Sequence, residues 1–294
     1  RQAIMSSAPT ISVLTTVYNR AKYLGECIES VQQSKFKDYE HIIVDDGSTD
    51  DSVDIAKRYA EEDPKIKVFI NDRNLGDYPN RNQAAKYATG KYLKYLDADD
   101  LHGAWILNVM VDAMEQYNEA GFGIIDHGPN VPIFPVLLTG SEAQDDYYSK
   151  RRNVLSRSPI NVIIKKEAFQ DVGGYSGKRM VGDFEMWHLL SQKNSLVIIP
   201  NGLALYRKHD DQEMTVHAKD PIWGFRYFLI SQTQLVDTRN PMSESERTKH
   251  LSTIERKIAR TVLTSIMNHG FRKADKMRRE AGWSWSKVWQ SAFS

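Results

Sequence analysis

The first hundred residues alternate four apolar, β-branched runs with three stretches at helical period, and every run ends in a polar cluster. Ile11 to Val17 closes on Tyr18-Asn19-Arg20, and Ala21 to Gln33 then sets Leu24, Cys27, Ile28 and Val31 at helical spacing. His41 to Val44 runs into Asp45-Asp46-Gly47-Ser48, a turn that supplies caps for a helix from about Asp51 to Glu61. Lys65 to Ile70, the helical stretch Asp77 to Ala88 and Lys91 to Leu96 complete the series. Strands joined by helices pair in parallel through right-handed crossovers, giving a sheet buried on both faces. The expected fold is therefore α/β, a mainly parallel central sheet flanked by helices. Such sheets bind ligands beyond the carboxyl ends of their strands. The polar clusters fall there: Thr15 to Asn19, Asp45 to Asp50, Asn71 to Asp77 and Asp97 to Asp100.

Further on, Trp105 to Tyr117 predicts a helix, and Phe122 to Asp126 and Val131 to Leu138 predict extended segments. Gly140 to Ser158 is polar and aperiodic, which predicts a mobile loop near the site. A strand (Ile160 to Ile164), a short helix, the turn Val172-Gly173-Gly174-Tyr175, a helix from about Asp183 to Gln192 and strands at Leu196 to Ile199 and Leu203 to Arg207 follow. From Pro221 only helical periods remain, so a sheet domain over residues 1–220 and a helical extension over 221–294 are expected.

Composition excludes several classes. With 41% hydrophobic and 26% charged residues, the chain is ordinary globular material. Cys27 is the only cysteine, which rules out an intramolecular disulfide or a multi-cysteine metal site and points to a reducing, cytoplasmic setting. The densest apolar run, Val131 to Leu138, is eight residues with two prolines, too short to span a bilayer. Arg1 to Thr10 lacks the apolar core of a signal peptide.

The net charge of +1 hides a charge of +6 over residues 241–294, from eleven basic and five acidic side chains. There Arg278, Arg279 and Lys287 alternate with Trp283, Trp285, Trp289 and Phe293. That mixture reads as an interfacial helix at the inner face of a membrane, or as tryptophans docked onto the catalytic domain or a partner subunit. The basic residues are spread too widely, and without a motif, to indicate a nucleic acid partner.

The most informative string is Asp97-Ala98-Asp99-Asp100, because Asp97 and Asp99 project from one side of an extended chain. Two such carboxylates can share a hard cation with substrate phosphates, or can simply form an acidic turn ahead of a helix. In order, Val17-Tyr18-Asn19, Val44-Asp45-Asp46-Gly47-Ser48-Thr49-Asp50, Asn74-Leu75-Gly76 with Arg81-Asn82, and Asp97-Ala98-Asp99-Asp100 resemble the inverting family 2 glycosyltransferases of the GT-A fold. The resemblance covers roughly Thr10 to His209.

It implies that Thr16 and Tyr18 flank a nucleotide base, that Asp46 accepts the uracil N3 proton, and that Arg81 lies near phosphate or ribose. Tyr18 also reads as a core aromatic, Asp46 as a turn former, and Arg81 as the i, i+4 partner of Asp77. The resemblance further implies Mn2+ or Mg2+ on Asp97 and Asp99, with His209 of Tyr206-Arg207-Lys208-His209 within reach of metal or diphosphate. Family members usually carry an acidic pair where this chain has Gly182-Asp183, which leaves Asp183 as the general base by position. As ordinary helix chemistry, Asp183 is an N-cap.

The implied function is metal-dependent, inverting transfer of a sugar from a nucleotide-diphosphate donor, a UDP-sugar foremost, to the hydroxyl of a glycan or lipid-linked acceptor in cell-surface polysaccharide or glycolipid synthesis. A sugar-phosphate nucleotidyltransferase is the competing enzyme class, but Tyr18 to Lys22 lacks the glycine-rich loop it needs. A non-catalytic nucleotide-sugar binder has no use for Asp97, Asp99 and Asp183 together.

Overall fold

The computed structural model describes residues 8–128, 131–200, 204–205 and 221–293. The chain divides into two units, one of residues 1–143 and 152–207 and one of 144–151 and 208–294.

The first unit realises the alternation. β1 (Ile11–Val17), β2 (Tyr39–Asp45), β3 (Ile66–Ile70) and β4 (Tyr92–Tyr95) are separated by α1 (Ala21–Gln32), α2 (Ser52–Glu62) and α3 (Asp77–Tyr87). Then come β5 (Leu101–His102), α4 (Ile106–Gln116), β6 (Ala120–Ile125), β7 (Val136–Leu138), α5 (Gly140–Tyr148, of which residues from 144 on belong to the second unit), β8 (Val162–Lys165), α6 (Lys166–Asp171), α7 (Gly182–Lys193), β9 (Ser195–Ile199) and β10 (Ala204–Leu205). Eight strands form one sheet in the order β3-β2-β1-β4-β8-β6-β9-β7, and β10 pairs with β5. The expectation of a mainly parallel sheet holds for β1–β2, β2–β3, β1–β4 and β6–β9, while β4–β8, β8–β6 and β9–β7 are antiparallel. Because β8 reverses direction between β4 and β6, the carboxyl ends of β1 to β4 and of β6 share one edge.

β2 is buried along its whole length, as a strand covered on both faces must be. Its polar members are paired: Glu40 accepts from Ser12 Oγ at 2.6 Å, Thr89 N at 2.6 Å and Lys67 Nζ at 2.7 Å, and His41 Nε2 meets Thr15 Oγ1 at 2.9 Å. Under α1 and α4 the core packs Ile11, Val13, Cys27, Tyr92, Leu96 and Met110.

Lys94 shares that face with Tyr92 and Leu96, yet it is wholly buried. The β4–β8 ladder has only two registered pairs, Tyr92 with Lys165 and Leu93 with Ile164. Beyond them the strands part, and the Lys94 ammonium closes the gap by donating to Ile160 O at 2.6 Å and Tyr95 O at 2.9 Å. Burial pushes Lys94 down to about 7, with Asp97 and Asp100 pulling the other way.

The segment expected to be a mobile loop, Gly140 to Ser158, instead begins with α5 and continues into a single helical turn at Val154–Ser156. The reason is a capping box: Thr139 Oγ1 accepts from Glu142 N at 3.2 Å, while Glu142 Oε2 accepts from Thr139 N at 2.7 Å. The signal Thr139-Gly140-Ser141-Glu142 was present, but the missing apolar period masked it. No lid is therefore assigned to this segment.

The second unit is helical, with α8 (Pro221–Val236), α9 (Glu244–His269), α10 (Phe271–Glu280) and α11 (Trp285–Phe293). α9 opens with a capping box on Ser243 and Glu246. The unit has its own core, in which Ile258, Val262, Met277, Trp283 and Val288 are buried and Trp285 packs against them. Of Trp283, Trp285, Trp289 and Phe293, the last two are exposed. Among the described residues no helix is long and apolar enough to cross a membrane.

The seam gives one prediction. Lys94→Ala leaves a void and two carbonyls without their donor, so urea unfolding should show a loss of about 3 kcal/mol, within the range for large-to-small core changes.

Candidate active site

Four strand ends and the start of α7 supply the polar groups. At the end of β1, Thr16 is half-buried and Tyr18 is 47% exposed, so Tyr18 is not a core aromatic. Asn19 takes a left-handed φ of 51°, which asparagine tolerates, and its side chain accepts from Thr49 N at 2.8 Å. This pins the β1 and β2 ends together.

At the β2 end the two adjacent carboxylates do different work. Asp45 Oδ1 accepts from Gly47 N at 3.0 Å and Ser48 N at 2.9 Å, shaping the turn. Asp46 is buried and reaches across to the loop after β3, accepting from Asn71 Nδ2 at 2.8 Å, Leu75 N at 2.9 Å and Gly76 N at 2.9 Å. An ionised carboxylate has about four acceptor sites, so three internal donors leave room for one more.

Arg81 is buried on α3 and answers both readings of the sequence: Nε donates to Asp77 Oδ1 at 3.0 Å and Nη2 to Asp97 Oδ1 at 2.6 Å. Its Nη1 is buried without a partner among the described residues. Tyr95 lies under the guanidinium, 5.6 Å from ring centroid to Cζ, and its hydroxyl donates to Arg81 O at 3.0 Å. Burial raises the Asp97 carboxyl, Arg81 opposes this, and Asp99 adds to it. Asp99 in turn accepts from Arg20 Nε at 3.0 Å. Sequence reasoning missed Arg20, although its place in Tyr18-Asn19-Arg20 at a strand end was a signal.

Asp97 and Asp99 thus stand at the end of β4, each steadied by an arginine and each partly exposed, with side-chain exposures of 32% and 16%. Their oxygens suit a hard cation of the Mg2+ or Mn2+ type, which takes one or two protein carboxylates and completes its shell with phosphate oxygens and water. Among the described residues no three His, Cys, Asp or Glu groups gather as a metal site. His209, expected near the metal, lies outside the described residues, as do Tyr206 to Lys208.

Asp183 is the second residue of α7, and the residue at the N-cap is Val181, without a side-chain cap bond. The capping reading of Asp183 therefore fails. Its Oδ1 accepts from the next amide, Phe184 N, at 2.8 Å. Burial pushes Asp183 up to about 6, with that amide and Arg81 working against it and Asp77 with it. Just before the helix, Met180 holds a left-handed φ of 69°, a strained conformation of the kind that clusters at functional sites. Glu185 points elsewhere, bonded to Ser176 Oγ and, at 2.6 Å, to Lys178 Nζ. Tyr78, with no sequence signal, proves central: its hydroxyl accepts from Gly182 N at 3.0 Å and Asp183 N at 3.3 Å.

With this geometry in view, comparison with known proteins gives a consistent picture. The family described as glycosyl transferase family 2 matches residues 12–173. Glycosyltransferase GlyG of Streptococcus pneumoniae is 25% identical over 221 residues, covering 69% of this chain and 72% of GlyG. Among solved structures, residues 1–349 of S. aureus TarS in complex with UDP-GlcNAc superpose with a TM-score of 0.71 at 18% identity, covering 92% of this chain and 79% of that one. Mannosyltransferase PcManGT from Pyrobaculum calidifontis, in complex with GDP-Man and Mn2+, gives a TM-score of 0.60 at 16% identity, covering 98% and 87%. These likenesses are of fold, and the fold is the expected GT-A arrangement.

Proposed function

This chain belongs to glycosyl transferase family 2, and from that premise we propose that it moves a sugar, with inversion, from a nucleotide diphosphate, UDP foremost, to an acceptor hydroxyl. The observation that carries the reading is the pairing of a part-exposed Asp97–Asp99 strand end with a raised, half-buried carboxylate on a separate helix. Asp183 lies beyond the matched residues, so its role rests on this geometry.

In this reading the base stacks on Tyr18 beside Thr16, and its N3 proton takes the remaining acceptor site of Asp46. Arg81 stands behind Asp97 and fixes where that carboxylate points. A divalent cation on Asp97 and Asp99 would supply charge neutralisation for the departing diphosphate. Asp183 takes the proton of the acceptor hydroxyl as its oxygen attacks the anomeric carbon. The new C–O bond forms on the face opposite the leaving group while the bond to the diphosphate breaks, so an α-linked donor gives a β-linked product. A base near 6 is mostly ionised at pH 7 and still basic enough to accept the proton. The acceptor class is a glycan or lipid-linked saccharide of a cell-surface polymer or glycolipid. A contact with the inner face of a membrane would rest on the exposed Trp289 and Phe293 beside the basic side chains of α10, since Trp283 and Trp285 are spent on packing.

Four measurements check this. UDP binding by calorimetry should need Mn2+ or Mg2+ and weaken strongly in Asp99→Ala; full affinity with chelator present contradicts the metal site. Asp183→Asn should cut transfer by about 100- to 10,000-fold with UDP affinity little changed. In the parent enzyme kcat/KM should fall as pH drops through about 6, because the raised carboxyl is then protonated and can no longer accept a proton. Finally, Trp289→Ser with Phe293→Ser should reduce sedimentation with anionic liposomes at low salt; unchanged pelleting removes these rings from any membrane role.

A further inference from the structure

Gly182 is the first residue of α7, and it lies directly against the ring of Tyr78. A Cβ built on Gly182 would lie 2.7 to 2.9 Å from three atoms of the Tyr78 ring, closer than real Cβ contacts come. Tyr78 is buried on α3, its ring 5.1 Å from that of Tyr175. A glycine at residue 182 leaves the volume that the Tyr78 ring occupies.

The phenol also changes the chemistry of the helix start. An α-helix leaves its first amides without internal partners, and a carboxylate in that turn normally turns back to accept them. In α7 the amide of Glu185 bonds Val181 O, leaving those of Gly182, Asp183 and Phe184. Tyr78 Oη takes the Gly182 amide and shares the Asp183 amide with the Asp183 carboxylate, which also takes its neighbour's. The Tyr78 proton faces Asp183 Oδ1 at 3.5 Å, a contact at the outer limit of a hydrogen bond. Burial and the nearby Asp183 and Asp77 keep the phenol protonated and neutral. Each amide donated to a carboxylate stabilises its ionised form and makes it a weaker base, so an oxygen that draws amides toward itself preserves basicity.

We propose that Tyr78 is a positioning residue for the general base: it intercepts the α7 amides and so keeps the Asp183 carboxylate from folding back as a helix cap. The proposal rests on the reading of Asp183 as base. The charged and titratable groups facing Asp183 are Tyr78, Asp77 and Arg81 on α3 and Tyr175 in the turn before α7, and only Tyr78 touches the helix amides.

The test is Tyr78→Phe, which keeps the ring against Gly182 and removes only the hydroxyl. UDP-GlcNAc hydrolysis with Mn2+, followed from pH 4.5 to 8 as ~0.5-unit steps, replaces transfer to an unidentified acceptor. The expected result is a kcat lower by about tenfold, UDP affinity within about threefold, and an acid limb of kcat/KM moved down by about half a pH unit or more as freed amides turn to Asp183. Tyr78→His, whose ring nitrogen can accept an amide, should recover part of the loss and serves as the readout if the Phe variant does not fold. A lowered kcat with the acid limb unmoved marks a packing role only and overturns the proposal, as does parental activity. Asp183→Asn is measured beside it: parental hydrolysis there refutes the base itself, whereas an inactive Asp183→Asn with a normal Tyr78→Phe refutes this inference alone.

Discussion

The contact between the Arg81 guanidinium and Asp97 decides how a cluster of carboxylates can stand at the edge of this sheet. Asp97, Asp99 and Asp100 follow one another at the end of β4, and Asp77 and Asp183 bear on the same region. Without a buried cation among them, burial and mutual repulsion would protonate some of these groups. Arg81 opposes this from within the fold by holding Asp77 and Asp97 together. It is seated by Tyr95, whose ring it faces and whose hydroxyl caps its own carbonyl. Arg20 pairs with Asp99 from the β1 end. Two arginines from different elements thus fix the carboxylates of this strand end.

The sheet changes direction beside this edge. β8 runs against β4 and β6, so the parallel half and the far half meet at a short antiparallel seam that opens toward the site. Lys94 closes it with an ammonium on Ile160 O, and three residues earlier Arg157 O accepts from Trp187 Nε1 at 2.7 Å on the helix that carries Asp183. One connected set of bonds therefore runs from the β4 end to α7.

Much of this was legible from the sequence, for physical reasons. Strand-and-helix alternation is a local signal, and each polar cluster marked a strand end, so the edge with Tyr18, Asp46, Asp97 and Asp99 could be placed from periodicity alone. What escaped depends on contacts distant in the chain. Nothing around Lys94 says that its amine would bridge a seam 66 residues away. Nothing around Tyr78 says that it would meet a helix start 104 residues on. The α5 segment was misjudged for a different reason: its cap was local and readable, but its buried Ala143 gives no apolar period. In the second unit, tryptophans beside arginines described both an interface and a core, and packing chose the core for Trp283 and Trp285, with Arg278 stacked 5.6 Å from the Trp285 ring.

The account stands or falls on where the donor and its cation sit. A crystal structure of the protein grown with UDP and Mn2+, with anomalous diffraction recorded for manganese, addresses this directly. The predicted result is a manganese peak against the Asp97 and Asp99 carboxylates, the diphosphate beside it, the uracil on Tyr18 with N3 toward Asp46, and Asp183 across an open space from the diphosphate. UDP bound away from the β1 and β4 ends, or manganese held by other residues, would contradict the account.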